Sequence, residues 1–188
     1  MRVVGGIKKG RRLASFTGRS IRPTSDKVRE AVFNILPRDF PFKKVLDLFA
    51  GTGAMGIEAL SRGAGDAVFV DNDRVSIGVI KKNIEACGLE SAARIIKKDA
   101  LDAIRSLSKR GEKFDLIFID PPYESALVEK SIRAVDEEGI LSADGFLVAE
   151  TSKRAPVSLE LSNLERVDER SYGDTLVYFF VPREKEHA

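Results

Sequence analysis

Three glycines and three carboxylates are spaced for chemistry on a small ligand. Gly51, Gly53 and Gly56 form a GxGxxG pattern within Asp47-Leu48-Phe49-Ala50-Gly51-Thr52-Gly53-Ala54-Met55-Gly56. The pattern lies between an apolar run of strand length and a helical pattern, the context in which a glycine turn brings backbone close to a ligand. Asp71 closes the next apolar run, 20 residues after Gly51. A carboxylate there can accept hydrogen bonds from both ribose hydroxyls of an adenosine cofactor. Asp47 distinguishes between cofactors. NAD would place a pyrophosphate at the helix N-terminus, where Asp47 would repel it. S-adenosylmethionine (SAM) carries no phosphate but has a cationic amino group and a sulfonium, which a carboxylate suits. The plainer role for Asp47 is that of a capping acid. Asp99, in Lys97-Lys98-Asp99-Ala100, follows the third strand and can accept from an adenine amino group, cap the following helix, or do both. The candidate cofactor set is Asp47, Phe49, Gly51, Gly53, Asp71, Asn72, Asp99 and Ala100.

A second constellation, Asp120-Pro121-Pro122-Tyr123, ends the fourth apolar strand. Two prolines cannot continue a sheet, so the chain leaves it at the edge where α/β sheets bind ligands. The stiff turn offers the Asp120 carboxylate and the Pro121 carbonyl as acceptors, and Tyr123 offers a flat ring. Such a set grips the N–H bonds of an exocyclic amine while the ring stacks on its base. The amine lone pair is delocalised, so holding its hydrogens favours pyramidalisation and aims it at a sulfonium methyl. Positioning then supplies much of the rate, and the acceptors stabilise charge developing on nitrogen. The product ammonium is acidic enough to need no strong base. A base inside a stem is inaccessible, so the target must be unpaired or flipped out. Asp120, Pro121, Pro122 and Tyr123 are the candidate catalytic residues.

Alternating elements are expected to position these groups. A helix is predicted over 25–36, capped by Ser25 or Asp26 and stopped by Pro37. Strands are predicted at Val45–Phe49, Ala67–Val70, Arg94–Lys97, Phe114–Ile119 and Phe146–Glu150. Helices are predicted at 54–63, 74–86, 100–109 and 125–137. The alternation argues for a parallel sheet with helices on both faces. Leu164–Ser171 and Thr175–Val181, around Tyr172-Gly173-Asp174, read as an antiparallel hairpin, so the sheet should be mixed. At the start, Arg2-Val3-Val4 and Arg11-Arg12-Leu13 around Gly5-Gly6 predict a small β-hairpin. Residues 1–24 are expected to be a basic extension, 25–182 the catalytic domain and 183–188 a frayed tail.

Composition removes several chemistries. The 188 residues contain one histidine, His187, and one cysteine, Cys87. A Ser-His-Asp triad, a Cys/His zinc site and an intrachain disulfide are therefore disfavoured, and no metal is expected. No apolar run suits a membrane span and no signal peptide is visible, and the single cysteine points to a reducing cytoplasm. Cys87 and Phe33 read as core or near-core. The formal net charge of +2 is uneven. Residues 1 to 25 hold seven basic side chains and no acid, against 24 basic and 29 acidic residues in the rest. A compact cationic segment on an acidic body suggests a nucleic-acid partner, with a solvated basic tail as the plain alternative. Arg2, Lys9, Arg11, Arg12, Arg22, Thr24 and Arg29 are the candidate RNA contacts, with Arg29 on the polar side of its helix.

Taken together, these residues resemble the class I SAM-dependent methyltransferases that act on exocyclic amines. More narrowly, they resemble the bacterial 16S ribosomal RNA (guanine-N2)-methyltransferase RsmD family. The resemblance runs nearly end to end, through Arg2-Val3-Val4-Gly5-Gly6 with Lys9-Gly10-Arg11, then Arg22-Pro23-Thr24 with Arg29-Glu30 and Phe33-Asn34. It continues through Asp47 to Gly53, Glu58-Ala59-Leu60-Ser61-Arg62-Gly63-Ala64, Asp120 to Tyr123 and Tyr172-Gly173-Asp174-Thr175. Asp71 stands where related sequences often have Glu. The resemblance implies a Rossmann-like, mostly parallel seven-stranded sheet with a C-terminal antiparallel hairpin. It also implies SAM bound by Gly51, Gly53, Asp71 and Asp99, and guanine held by Asp120 to Tyr123. The implied substrate is 16S ribosomal RNA already carrying some ribosomal proteins. A monomer is expected. The same amine chemistry would serve adenine N6 or a protein glutamine. A non-catalytic RNA-binding assembly factor is a further alternative.

Overall fold

The computed structural model describes residues 1–16, 26–37, 39, 42–122 and 125–184. Contacts divide the chain into two compact units, Met1–Ala100 and Leu101–Ala188. The predicted tail residue His187 and the proposed cap Ser25 lie outside the described residues.

In the first unit, α1 (Asp26–Ile35) precedes β1 (Lys44–Leu48), α2 (Ala54–Ser61), β2 (Asp66–Asp71), α3 (Arg74–Cys87) and β3 (Ala93–Lys97). β1, β2 and β3 are parallel neighbours, in register at Leu48↔Val70 and Asp71↔Lys97. Val45 to Leu48 are all buried, although successive side chains point to opposite sides of a sheet. Both faces of β1 are thus covered, as the apolar run predicts. α2 packs on β1 and β2, and α3 on β2 and β3. All eight residues of α2 are buried. Its close approach depends on Gly56, where a Cβ would lie 2.3 Å from the ring of fully buried Phe69. α3 is defined at both ends. Asp73 accepts from the Val75 and Ser76 backbone N–H groups, and Gly88 closes it in the left-handed conformation, φ 62°.

The second unit contains β4 (Phe114–Ile119), α5 (Ser125–Glu138), β5 (Leu141–Ser152), β6 (Leu164–Tyr172) and β7 (Thr175–Pro182), preceded by α4 (Ala100–Ser108). β4 and β5 are parallel, β5 and β7 antiparallel, and β6 and β7 form the predicted hairpin. The strand order is β3-β2-β1-β4-β5-β7-β6, a mixed seven-stranded sheet. β6 lies at an edge and exposes Glu165, Arg166, Glu169 and Arg170, charges that discourage pairing with another chain. Buried Asp136 of α5 holds the start of this hairpin through the Asn163 and Leu164 N–H groups, at 2.8 and 2.7 Å.

One expectation is corrected. β5 starts at Leu141, five residues before Phe146, because Phe114 pairs with Leu141 and Leu116 with Phe146. The intervening Ser142 to Gly145 break the ladder's register while the strand continues, and their polar composition hid the strand. The N-terminal hairpin forms around the antiparallel Arg2↔Arg12 bridge, with Val3 N–H donating to Arg11 O at 3.0 Å and Leu13 N–H to Met1 O at 3.1 Å. No described helix is long and apolar enough to cross a membrane.

Gly56→Ala tests the α2 approach. The added methyl should overpack Phe69 and lower stability by about 1–3 kcal/mol in urea unfolding. An unshifted midpoint would mean that Phe69 has room to retreat.

Candidate cofactor loop and its basic arm

The segment after β1 takes an unusual backbone path. Phe49, Gly51 and Gly53 all have positive φ, at 61°, 56° and 77°. For glycine this conformation is unstrained, but for a bulky Phe it is an outlier of the kind that collects at ligand sites. Gly53 is the N-cap of α2 and has no side chain to cap with. Asp47 takes over that task from the buried side of β1, accepting the Gly56 N–H at 3.0 Å. The capping alternative for Asp47 is therefore realised.

Asp71, half-buried at the end of β2, is bound to the glycine turn itself. One carboxylate oxygen accepts the Gly51 N–H and the other accepts the Asp73 N–H, both at 2.8 Å. Each oxygen retains a further lone pair, so a ribose could bind without displacing these bonds. Asn72, beside it, is exposed. Asp99 is exposed at the residue before α4, and Ala100, the first residue of that helix, is buried. Parallel pairing of β1, β2 and β3 brings Asp47, Asp71 and Asp99 to one end of their three strands. In the second unit, Asp120 is half-buried directly after β4, Pro121 is buried and Pro122 exposed. Tyr123 lies outside the described residues.

A contact that sequence reasoning missed joins the loop to the N-terminal arm. Asn83 of α3 is buried, accepts the Ala14 N–H at 2.7 Å, and donates to Ala14 O and Thr52 O at 3.1 and 2.8 Å. One amide thus clamps both polar groups of an arm residue and the carbonyl between Gly51 and Gly53. An Asn on a helical pattern offers no signal of such a role.

The arm is fastened again at the far end of α2. Glu58 is completely buried and accepts the Val4 N–H and the Arg62 Nε–H, each at 2.8 Å. Ser61 O accepts from Ile7 N–H at 2.7 Å, and Ser61 Oγ donates to Gly5 O at 2.6 Å while accepting from Lys8 N–H at 2.9 Å. Gly6 has φ +72°, and a Cβ there would lie 1.8 Å from Ser61 O, so the arm sits directly on the backbone of α2. These bonds use the donors of Val4, Ile7 and Lys8, while Val3 and Leu13 donate across the hairpin to Arg11 O and Met1 O.

Arg29 requires a correction. It is 0% exposed, not on a polar face. Its guanidinium pairs with Asp26 at 2.9 Å, approaches Glu58 at 3.6 Å, and donates to Arg2 O. It holds the arm from beneath and offers nothing to a phosphate. Arg2, Lys9, Arg11 and Arg12 are exposed as expected, and Arg11 Nε also donates to Ala86 O at 2.5 Å. Arg22 and Thr24 lie outside the described residues. Cys87 and Phe33 are buried, as expected. Burial pushes the Cys87 thiol up, an effect offset in part by Arg11 and Lys8, so the thiol stays protonated and inert. Among the described residues no acidic, His or Cys cluster could hold a metal ion.

The antiparallel β7 between β5 and β6 separates this domain from the all-parallel dinucleotide-binding sheets, and its solved neighbours include structures described as putative or SAM-dependent methyltransferases. A family described as conserved hypothetical protein 95 matches residues 1–181. The "Putative rRNA methyltransferase YlbH" of Bacillus subtilis is 39% identical over 97% of this chain and 100% of its own length. The ribosomal RNA small subunit methyltransferase D of Haemophilus influenzae is 33% identical over 84% of this chain and 81% of its own. A solved structure, "Putative methyltransferase yhhF from Escherichia coli", superposes with a TM-score of 0.83 at 30% identity, covering 98% of both chains. The chain belongs to this ribosomal RNA small subunit methyltransferase D family and is a methyltransferase that uses SAM.

Two substitutions probe the loop and the arm separately. Asp71→Ala removes the Gly51 clamp together with any ribose contact and should weaken SAM binding at least about tenfold in calorimetry, since a hydrogen bond to a charged group contributes about 1.5–3 kcal/mol. Unchanged affinity would dismiss both roles. Glu58→Gln leaves Arg29 buried with less compensating charge and should cost about 3 kcal/mol of stability, read by chemical denaturation.

Proposed function

We propose that this chain transfers a methyl group from SAM to the exocyclic N2 amine of a guanine in small-subunit ribosomal RNA. The observation that carries this reading is the end of β4, where Asp120 and buried Pro121 put a carboxylate and a carbonyl at the carboxyl end of a buried strand. These acceptors take the two N–H bonds of the amine, and Tyr123 stacks on the base. Nitrogen attacks the sulfonium methyl in line. The N–C bond forms as the C–S bond breaks, and sulfur keeps the electron pair as S-adenosylhomocysteine. The nitrogen, briefly cationic, then loses a proton without a strong base. Acceptors fixed in advance stabilise that charge in the transition state, where electrostatics contribute most.

On the donor side, the glycine turn and Asp71 bind the adenosine portion, with Asp99 toward the adenine amine and Asp47 toward the cationic amino acid end. Asp47 caps α2 through one oxygen, so its charge is also fixed in place. The arm, residues 1–24, grips RNA phosphates through Arg2, Lys9, Arg11, Arg12 and Arg22. The names of the relatives support the substrate class, and the substrate is a partly or fully assembled small subunit. The enzyme works as a cytoplasmic monomer.

The decisive assay is methyl transfer from labelled SAM to small subunits lacking the modification, followed by nucleoside mass spectrometry. N2-methylguanosine is expected. Methyladenosine would keep the mechanism and overturn the substrate, and no transfer with SAM binding intact would overturn the reading. Asp120→Ala should leave SAM affinity within a few-fold and lower turnover about 100-fold or more, the scale of one lost transition-state acceptor. Wild-type turnover would remove Asp120 from the mechanism.

A further inference from the structure

Between the N-terminal arm and the end of α3 lies a groove of about 480 Å³. Ile7, Lys8, Lys9 and Arg11 form one wall, and Glu85 and the Ala86-Cys87-Gly88 turn form the other. Three cations face one carboxylate, so the groove attracts a polyanion. Ile7 stands at its rim and is 81% exposed, against 49% for Val75 and 51% for Val167, the other large apolar side chains exposed among the described residues.

Ile7 is exposed on a backbone that cannot withdraw. Its own N–H and that of Lys8 are bound to Ser61, and Gly6 lies against the Ser61 carbonyl. Arg11 is tied to Ala86 O across the groove. A β-branched side chain has few rotamers, so Ile7 is a stiff apolar projection set among cationic side chains. Exposed isoleucine contributes nothing to this fold's core. It does fit the face of a base. Proteins that open nucleic acid insert aliphatic side chains against unstacked bases, and phosphates on either side fix the strand.

We propose that this groove seats unpaired RNA of the substrate, with phosphates on Lys8, Lys9 and Arg11 and Ile7 pressed against the exposed face of a base. The proposal rests on the RNA-methyltransferase reading and deepens it. A base cannot be methylated in its stack, and an apolar wedge covers a neighbour left without its stacking partner. The cation excess favours RNA over a ribosomal protein as the occupant.

The test is the binding of a fluorescein-labelled single-stranded decaribonucleotide, and of its duplex, to the full chain by anisotropy across a salt series. Ile7→Ser should weaken single-strand binding about tenfold with no change in salt slope, because the lost contact is apolar. Ile7→Leu should restore it. Lys9→Gln should lower the logarithmic salt slope by about 0.7, the value for one single-strand phosphate. SAM calorimetry on each variant verifies the fold. Single-strand binding within twofold of wild type for Ile7→Ser overturns the proposal, as does an equal loss on duplex or no binding by the wild type. Ile7→Ser losing methyl transfer only on assembled subunits, with oligonucleotide binding intact, would assign the groove to a ribosomal protein and also overturn it. Failure of the parent reading is distinct: it is the absence of methylated guanosine with the wild-type enzyme, which the binding assay does not use.

Discussion

A carboxylate with no access to water must be surrounded by donors, and Glu58 satisfies that requirement with the N-terminal arm. Its oxygens meet Arg62 at the C-cap of its own helix, the Val4 N–H from the arm, and Arg29 from α1. Removing any of these leaves a buried charge short of compensation, which is worse than never having placed it there. The burial of Glu58 thus makes the arm part of the core rather than a tail. Arg62 adds to the same junction, its guanidinium lying 4.8 Å from the centre of the Phe33 ring. A segment with seven basic side chains would otherwise be held apart by its own charge.

The other end of α2 follows the same logic with different partners. The glycines that let backbone approach a ligand leave the turn without side chains to order it. Asp47 and Asp71 supply that order from the neighbouring strands by accepting the Gly56 and Gly51 N–H groups. The two carboxylates thus order the turn from the strands beneath it, and Asp71 uses its second oxygen on the Asp73 N–H. Asn83 extends the arrangement to the arm, so a single buried amide touches both the loop and Ala14.

The alternating strands and helices were legible in the sequence because apolar periodicity reports directly on burial. β4 was read to the residue, and the glycine turn was placed between strand and helix. What periodicity could not convey was who satisfies a polar group. Arg29 sits at a position that helical spacing marks as polar, yet a tertiary ion pair draws it inside. Glu58, Ser61 and Arg62 stood out only as part of a family resemblance, since a Glu four residues before an Arg also suits a solvated helix face. The hairpin is legible from its turn residues, but the seating of its turn on α2 through the Val4, Ile7 and Lys8 N–H groups is not. For Asp47 the sequence leaves capping and cofactor binding as alternatives, and the structure realises the capping.

Helix α2 is only eight residues long, about 12 Å, and carries the glycine turn at one end and the arm's anchor at the other. All of its side chains are committed to neighbours. A helix of this kind has a fixed phase as well as a fixed length. One residue inserted between Gly56 and Glu58 would turn everything beyond it by roughly 100° and swing Glu58 out from under Val4. Point substitutions along the helix can be absorbed to differing degrees, but its residue count cannot. Among related chains, length variation should therefore fall in the loops on either side of α2 and never within it.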